Sequence, residues 1–462
     1  MHMTSFLRFG RSCHYLTTIP LFIAVAATGS LTRADSTAGH TFSPADFGAK
    51  LDGVTNDQVA LQRAIDAAAA ANGGVVAIPS GHALMTGSFE LKSKVTLNLE
   101  AGSRIIGSTQ QADYKEPYLV KALRANDIAI TGTGLIDGRG TTFMLEEGPY
   151  ICTPKEWRPK LMLLEDCHHV RVSDITIRDA AQWSLHLAGC EDVVVHGISI
   201  FNSLKVPNCD GIDPDHSRNV RISDCYIECG DDCIVLKTSR EFAQYGPCED
   251  IIVTNCVFNT HDCALKIGSE TMGDVRNVVF SNCVIKMCHR GVGVMLRDEG
   301  IVENLVVSNI VIQSQLFFPT WWGSSEAIYV NAHPRAAGGK VGHVRGLRFS
   351  QIVARGEAGV FVQGTPEFPV EDIVLDNVTL DISKVSEWPS RFDLRPPEDL
   401  VVEEKGTIIA GVHLQDARGV TLRDCTVRWG PNPPASYGPA LRTERVTDLK
   451  IENFKGVDAH AK

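Results

Sequence analysis

The stretch Asn208–Lys237 reads NCDGIDPDHSRNVRISDCYIECGDDCIVLK. It sets Asp210, Asp213 and Asp215 in one short run and Asp231 and Asp232 in another, and each run adjoins a short apolar segment of the kind a buried strand uses. Asp210 and Asp231 are 21 residues apart, slightly less than the period of a repeat that runs through most of the chain. If that repeat is a coil, the two runs lie side by side and several carboxylates crowd one small surface. Such crowding is costly unless the groups bind cations or handle protons.

The phrase DHSRNVRISDCYI inside this stretch recurs as EDCHHVRVSDITI, AGCEDVVVHGISI, GPCEDIIVTNCVF, GDVRNVVFSNCVI, GIVENLVVSNIVI, GHVRGLRFSQIVA, FPVEDIVLDNVTL and DARGVTLRDCTV. Its register positions are Val170, Val193, Val220, Ile251, Val278, Leu305, Leu347, Ile373 and Val420, with Leu449 a tenth. Apolar residues alternate within each unit, and the interposed Asp, Asn and Gly mark turns. A second set of strands follows in each coil, among them LMLLE from Leu161, CIVLK from Cys233 and CALKI from Cys263. The residues just before five successive members are Asp210, Asp232, Asp262, Arg290 and Glu326, so a line of charge is expected on one face, flanked by Trp183 and Ala358.

The pattern predicts an all-β fold, a right-handed parallel β-helix (solenoid) with an N-terminal capping helix. Ten coils at about 4.8 Å would span about 50 Å. The capping helix is expected after Asn56 or Asp57, with Val59, Leu61, Ala64, Ile65 and Ala68 on its apolar face and Asn72-Gly73-Gly74 ending it. Residues 1–34 are expected to be a signal peptide, with Arg8 and Arg11 ahead of an apolar run from Leu16 to Gly29. Residues 35–94 would form the cap segment with the first strands, and residues 95–462 the catalytic β-helix. A secreted or periplasmic location follows from the leader.

A formal net charge of -11 argues against general nucleic-acid binding and against adsorption to anionic membranes. An acidic polysaccharide would need a local basic cleft. Of 14 cysteines, Cys225, Cys256, Cys283 and Cys425 share one place in the repeat, which predicts a buried packing ladder in preference to a disulfide framework. Zinc is disfavoured because Cys229 and Cys233 have no matching second pair. Asp210, Asp231 and Asp232 suit either a divalent cation or a division of acid and base roles in hydrolysis.

NCDGID, GDDC with IVLK, the early FGAKLDGVTND, RPKLMLLEDC and GSETMGDVRNV together resemble glycoside hydrolase family 28, the polygalacturonase and rhamnogalacturonan hydrolase group. The resemblance covers roughly Phe42 to Leu380. It implies inverting hydrolysis without a metal or other cofactor, with Asp231 as general acid, Asp210 and Asp232 as the pair that activates water, and Asn208 at the first position of the family's Asn-Thr-Asp motif. Two departures stand out. Asp262 falls where the family carries a histidine, with His261 beside it, and Gly293-Val294-Met295 replaces an Arg-Ile-Lys motif resembling a carboxylate clamp. Rhamnogalacturonan hydrolases resemble this chain in departing at both motifs, so a rhamnogalacturonan or substituted pectin linkage is expected before plain homogalacturonan.

Lys237, Lys266, Arg290 and Arg297 are expected to rebuild recognition of a pectic substrate. Trp321, Trp322, Glu326 and Tyr329 fall in an insertion, FFPTWWGSSEAIYV, whose aromatics suit stacking on sugar faces or a latch beneath the loop. Trp183 suits core or groove floor, and Arg158 either a functional role or loop anchoring. A monomer is expected. The alternatives are an exo-acting galacturonosidase with rearranged subsites, a calcium-dependent lyase, and a non-catalytic binding solenoid.

Overall fold

The computed structural model describes residues 40–318, 323–336, 338–390 and 408–461; the leader, Trp321 and Trp322 lie outside them. Strands stack into three parallel ladders and form a right-handed parallel β-helix. The first ladder contains His168–Ser173, Glu191–His196, Arg218–Ser223 and Cys248–Thr254. The second contains Thr176–Arg178, Ser199–Phe201, Tyr226–Cys229 and Val257–Thr260. The third contains Lys160–Glu165, Leu185–Ala188, Ile212–Asp215, Ile234–Thr238, Cys263–Thr271, Arg290–Leu296 and Glu326–Ala332.

The repeat register is the hydrogen-bonded register. Val170 faces Val193, then Val220, Ile251, Val278, Leu305, Leu347, Ile373 and Val420 in turn. Leu449 lies between the pairs Arg418 with Thr447 and Thr421 with Lys450. The residue before each register position turns left-handed, as at Asp192, Asn219, Asp250, Asn277 and Asn304. Asn and Asp tolerate that conformation better than other side-chain-bearing residues, which explains the polar letter at this place in the phrase. Their side chains then bridge coils: Asn277 donates to Asp250 at 2.9 Å and Asn304 to Asn277 at 3.2 Å.

Inward residues such as Val170, Val172, Ile175 and Ile177 join one continuous core. Each fully buried aliphatic side chain stabilises by about 1.5–3 kcal/mol, and Ile222→Ala would cost about 2–5 kcal/mol. The thiols of Cys225, Cys256 and Cys283 meet in successive coils, and the thirteen described cysteines are all buried and unpaired. The packing ladder is therefore present.

The helix Gln58–Ala70 buries Ala60, Leu61, Ala64, Ile65 and Ala68. Val59 departs from expectation at 63% exposure, because the buried stripe passes through its neighbour Ala60. Asp57 accepts from the Lys50 and Leu51 amides, both at 2.8 Å, instead of capping the helix through its side chain. The helix stands in chain order between a second-ladder strand, Asp52–Asn56, and a first-ladder strand, Gly74–Ile78, where later coils place a third-ladder strand. Among the described residues no helix is long and apolar enough to cross a membrane.

Candidate active site

The third ladder brings Asp210 opposite Asp232, since Ile212 pairs with Ile234. Core-facing Ile234 and Leu236 then pair with Leu265 and Ile267, which puts Cys263 opposite Asp232. Arg290 faces Cys263, and Glu326 faces Arg290. The expected line of charge is thus corrected by one residue: Cys263 holds the place assigned to Asp262. Aligning Cys233 with Cys263 in the sequence gave the slip, whereas the apolar alternation governs the real register. Asp262 instead falls opposite Asp231, on the turn before its strand.

One oxygen from each of Asp210, Asp231 and Asp232 lies within 4.8 Å of the others. Asp231 Oδ2 accepts the Asn208 amide at 2.9 Å, and Asp231 Oδ1 accepts the Asp232 amide at 3.0 Å. Asp232 Oδ2 takes a hydrogen bond from Lys266 Nζ at 2.7 Å. Lys237 Nζ stands 3.7 Å from Asp210, 3.8 Å from Asp213 and 3.3 Å from Glu270. All of the named aspartates are buried. Their electrostatics follow from that burial.

Burial, then the charges of Asp213 and Asp231, push the Asp210 carboxyl well above its ordinary range. Burial also raises Asp232, with Lys266 opposing the shift, and pushes Asp213 up to about 7. Asp262 is raised by burial and by Asp232 and Asp231; neither of its side-chain oxygens has a hydrogen-bond partner among the described residues. Glu270, by contrast, is held down to about 2, chiefly by Lys237. Such a cluster shares protons, and shared protons allow acid and base roles to divide.

Arg158 anchors the turn before the cluster. Its Nη1 donates to the Ala181 carbonyl at 2.7 Å and to the Pro207 carbonyl, and its Nη2 donates to Asn208 Oδ1 at 2.7 Å. Asn208, left-handed at φ 57°, passes that placement to Asp231 through its amide. The loop-anchoring reading of Arg158 is the one the contacts show, and the anchored loop carries the Asp231 contact.

The other expected residues divide. Arg290 is fully buried; its Nε lies 3.5 Å from Glu326 and its guanidinium 3.9 Å from the centre of the Tyr329 ring. A Cβ at Gly293 would come within 3.1 Å of Arg290 Cδ, so the arginine stem lies over the glycine. Glu326 and Tyr329 are corrected from insertion to buried strand, because Ala327, Ile328 and Val330 carry the core alternation. The Tyr329 ring meets Arg290 and, at 5.6 Å, Phe361. Arg297 donates to the His333 carbonyl at 3.0 Å and ties down the segment after that strand. His261 stacks on Phe317 at 4.5 Å in a wall that also includes His289 and Phe318, whereas Asp262 is coupled electrostatically to the carboxylates. Trp322 lies outside the described residues.

Two residues absent from the sequence-based set, Lys160 and Glu270, stand beside the cluster, and Trp183, expected as core or groove floor, lies on the same line. Lys160 pairs with Tyr118 on the preceding coil and, by the register of Met162 with Leu185, faces Trp183. Trp183 faces Asp210 by the register of Leu185 with Ile212. Glu270 completes the shell of Lys237. The signal for Lys160 lay in RPKLMLLE, one residue before the strand used to draw the line.

Three parallel ladders with a carboxylate cluster on the third define a parallel β-helix protein with a built acidic centre. The chain belongs to glycosyl hydrolases family 28, whose model matches residues 72–388. A probable polygalacturonase of Vitis vinifera is 28% identical over 53% of this chain and 54% of its own length. An exo-poly-alpha-D-galacturonosidase of Dickeya chrysanthemi is 25% identical over 49% of this chain and 47% of its own. The chain spans about half the length of the curated relatives it matches. Among solved structures, an exopolygalacturonase of Thermotoga maritima superposes with a TM-score of 0.65 at 24% identity, covering 74% of this chain and 87% of that one. A family 28 exopolygalacturonase of Yersinia enterocolitica gives 0.66 at 19% identity, covering 89% and 78%. These likenesses establish the fold.

Proposed function

We propose that the chain hydrolyses an α-glycosidic linkage of a pectic polysaccharide, outside the cytoplasm and as a monomer. Asp231 serves as general acid, and Asp210 and Asp232 hold and activate the attacking water. The observation that carries this is the convergence of one oxygen from each of the three within 4.8 Å, with Lys266 fixed on Asp232. The amides of Asn208 and Asp232 orient Asp231 from two sides, which preorganises the proton donor. Lys237 and Lys266 partly neutralise the cluster.

Inversion is the stereochemical outcome proposed. The closest oxygens lie nearer than the roughly 6.5–9.5 Å usual between the working carboxyl groups of an inverting pair, so the anomer of the first product is the direct test. A rhamnogalacturonan or substituted pectin linkage is favoured over homogalacturonan because Gly293, Val294 and Met295 present no charge on their strand. Asp231→Asn should abolish reducing-end release from a pectic panel while the chain stays folded. Turnover near the parent level in that variant would sink the assignment, and a retained anomer in the parent would sink inversion.

A further inference from the structure

The line of facing residues that holds Asp210 and Asp232 continues on earlier coils through Trp183, Lys160 and Tyr118. The Lys160 ammonium stands 3.6 Å from the centre of the Trp183 ring and 5.8 Å from that of Tyr118. Among the described residues no carboxylate lies within 4.0 Å of it and it makes no side-chain hydrogen bond. Other cations of the groove are committed: Lys237 to Asp210, Asp213 and Glu270, Lys266 to Asp232, and Arg290 to Glu326. Burial lowers the Lys160 pKa, while Asp213 and Glu241 oppose the shift.

We propose that Lys160 and Trp183 form a subsite for a carboxylate-bearing sugar, a hexuronate, on the N-terminal side of the catalytic aspartates. The assignment rests on the hydrolase function proposed above and deepens it. An ammonium held on an aromatic face with no carboxylate within 4.0 Å is a ready partner for an anion, and Trp183 fixes its place in the groove. Lys160 lies two coils from Asp210, about 10 Å along the groove. A sugar held there is a neighbour of the one being cleaved. Beyond the cleavage point, Gly293 and Met295 supply no charge and Arg290 is already paired with Glu326. The carboxylate reader of the groove is thereby assigned to the coils before the carboxylate cluster.

The test uses the full chain carrying Asp231→Asn, with trigalacturonate and a rhamnogalacturonan tetrasaccharide as anionic probes and their methyl esters as neutral ones, measured by calorimetry. Lys160→Met should weaken binding of at least one anionic probe by about tenfold to a hundredfold at low salt, as loss of a charge-assisted contact does. It should leave the esters unchanged, and Lys160→Arg should restore most of the affinity. Equal loss for acids and esters would make Lys160 a packing support for Trp183 and overturn the assignment. So would unchanged affinity, or no binding of either acid. With Asp231 intact, Lys160→Met should raise KM with little change in kcat. If the chain with both Asp231 and Lys160 intact releases no reducing ends while Lys160-dependent binding of acids persists, the hydrolase function fails and the subsite stands.

Discussion

Lys266→Met keeps most of the stem and removes the ammonium 2.7 Å from Asp232 Oδ2. Both residues are buried, at 8% and 1% exposure. At an effective dielectric of about 20, unit charges at that separation attract by about 6 kcal/mol, and removing one partner of a buried pair costs about 3–5 kcal/mol. Asp232 avoids part of that cost by taking a proton. Its carboxyl already stands above its ordinary range, because burial and Asp231 outweigh Lys266. Loss of the lysine, the main group holding it down, should raise it further.

The sign is then determined. A base that must be ionised fails as pH falls through its pKa, so the acidic limb of the rate profile should move to higher pH, with about a hundredfold loss of turnover on that limb and partial recovery at pH 8. Stability follows the same group: a folded-state pKa above the unfolded one means stability present at low pH and lost as pH rises through the folded value. Urea midpoints of the variant and its parent should lie close at pH 4 and separate by pH 8. An acidic limb left in place, or a stability deficit largest at pH 4, would refute the role given to Lys266.

Arg158→Ala removes three hydrogen bonds and should cost about 2–4 kcal/mol in thermal unfolding, with kcat down about a hundredfold as Asn208 and Asp231 shift. Arg158→Lys should rescue stability better than turnover, because a single ammonium cannot reproduce the guanidinium fork; unchanged kcat in the alanine variant would count against the relay. Asp213, pushed up to about 7 by burial, keeps a proton that the unfolded chain releases, so its contribution to stability should fall between about pH 4 and pH 7. Asp213→Asn should remove that slope and gain up to about 4 kcal/mol at neutral pH, less the attraction of Lys237 that it forfeits; urea titrations across pH read both. The buried cysteines should react slowly with a thiol reagent in the native chain and fully in guanidinium. Rapid labelling of several would contradict the packing ladder.

The coil register was legible in the sequence because two constraints write it twice. Inward Val, Leu and Ile set the alternation, and the left-handed turn favours Asn, Asp or Gly before the register positions, with His169 the exception before Val170. The Asp210, Asp231 and Asp232 cluster was legible for the same reason, since two repeats with known offset place it. Its surroundings were not. Asp262 slipped by one residue because a matching pair of cysteines looked like a register mark. Arg290 packs over Gly293, three residues on in the same strand, where a side chain would meet its stem, a relation that spacing alone does not reveal. Lys160 is hidden in the sequence because Trp183, an uncharged residue, separates it from the charged members of the line.

The charges of the groove also bear on how so acidic a chain would present a site to the acidic polymer proposed as its substrate. Lys237 and Lys266 are buried among Asp210, Asp213, Asp232 and Glu270, and Arg290 is spent on Glu326. Carboxylates outnumber cations there, and the raised pKa values of Asp210, Asp213, Asp232 and Asp262 state how the excess is met, by protons held in place. A cluster that holds protons carries less negative charge than its composition suggests and repels a polyanion less. Neutralisation of the excess charge is therefore a property of the burial that the third ladder imposes.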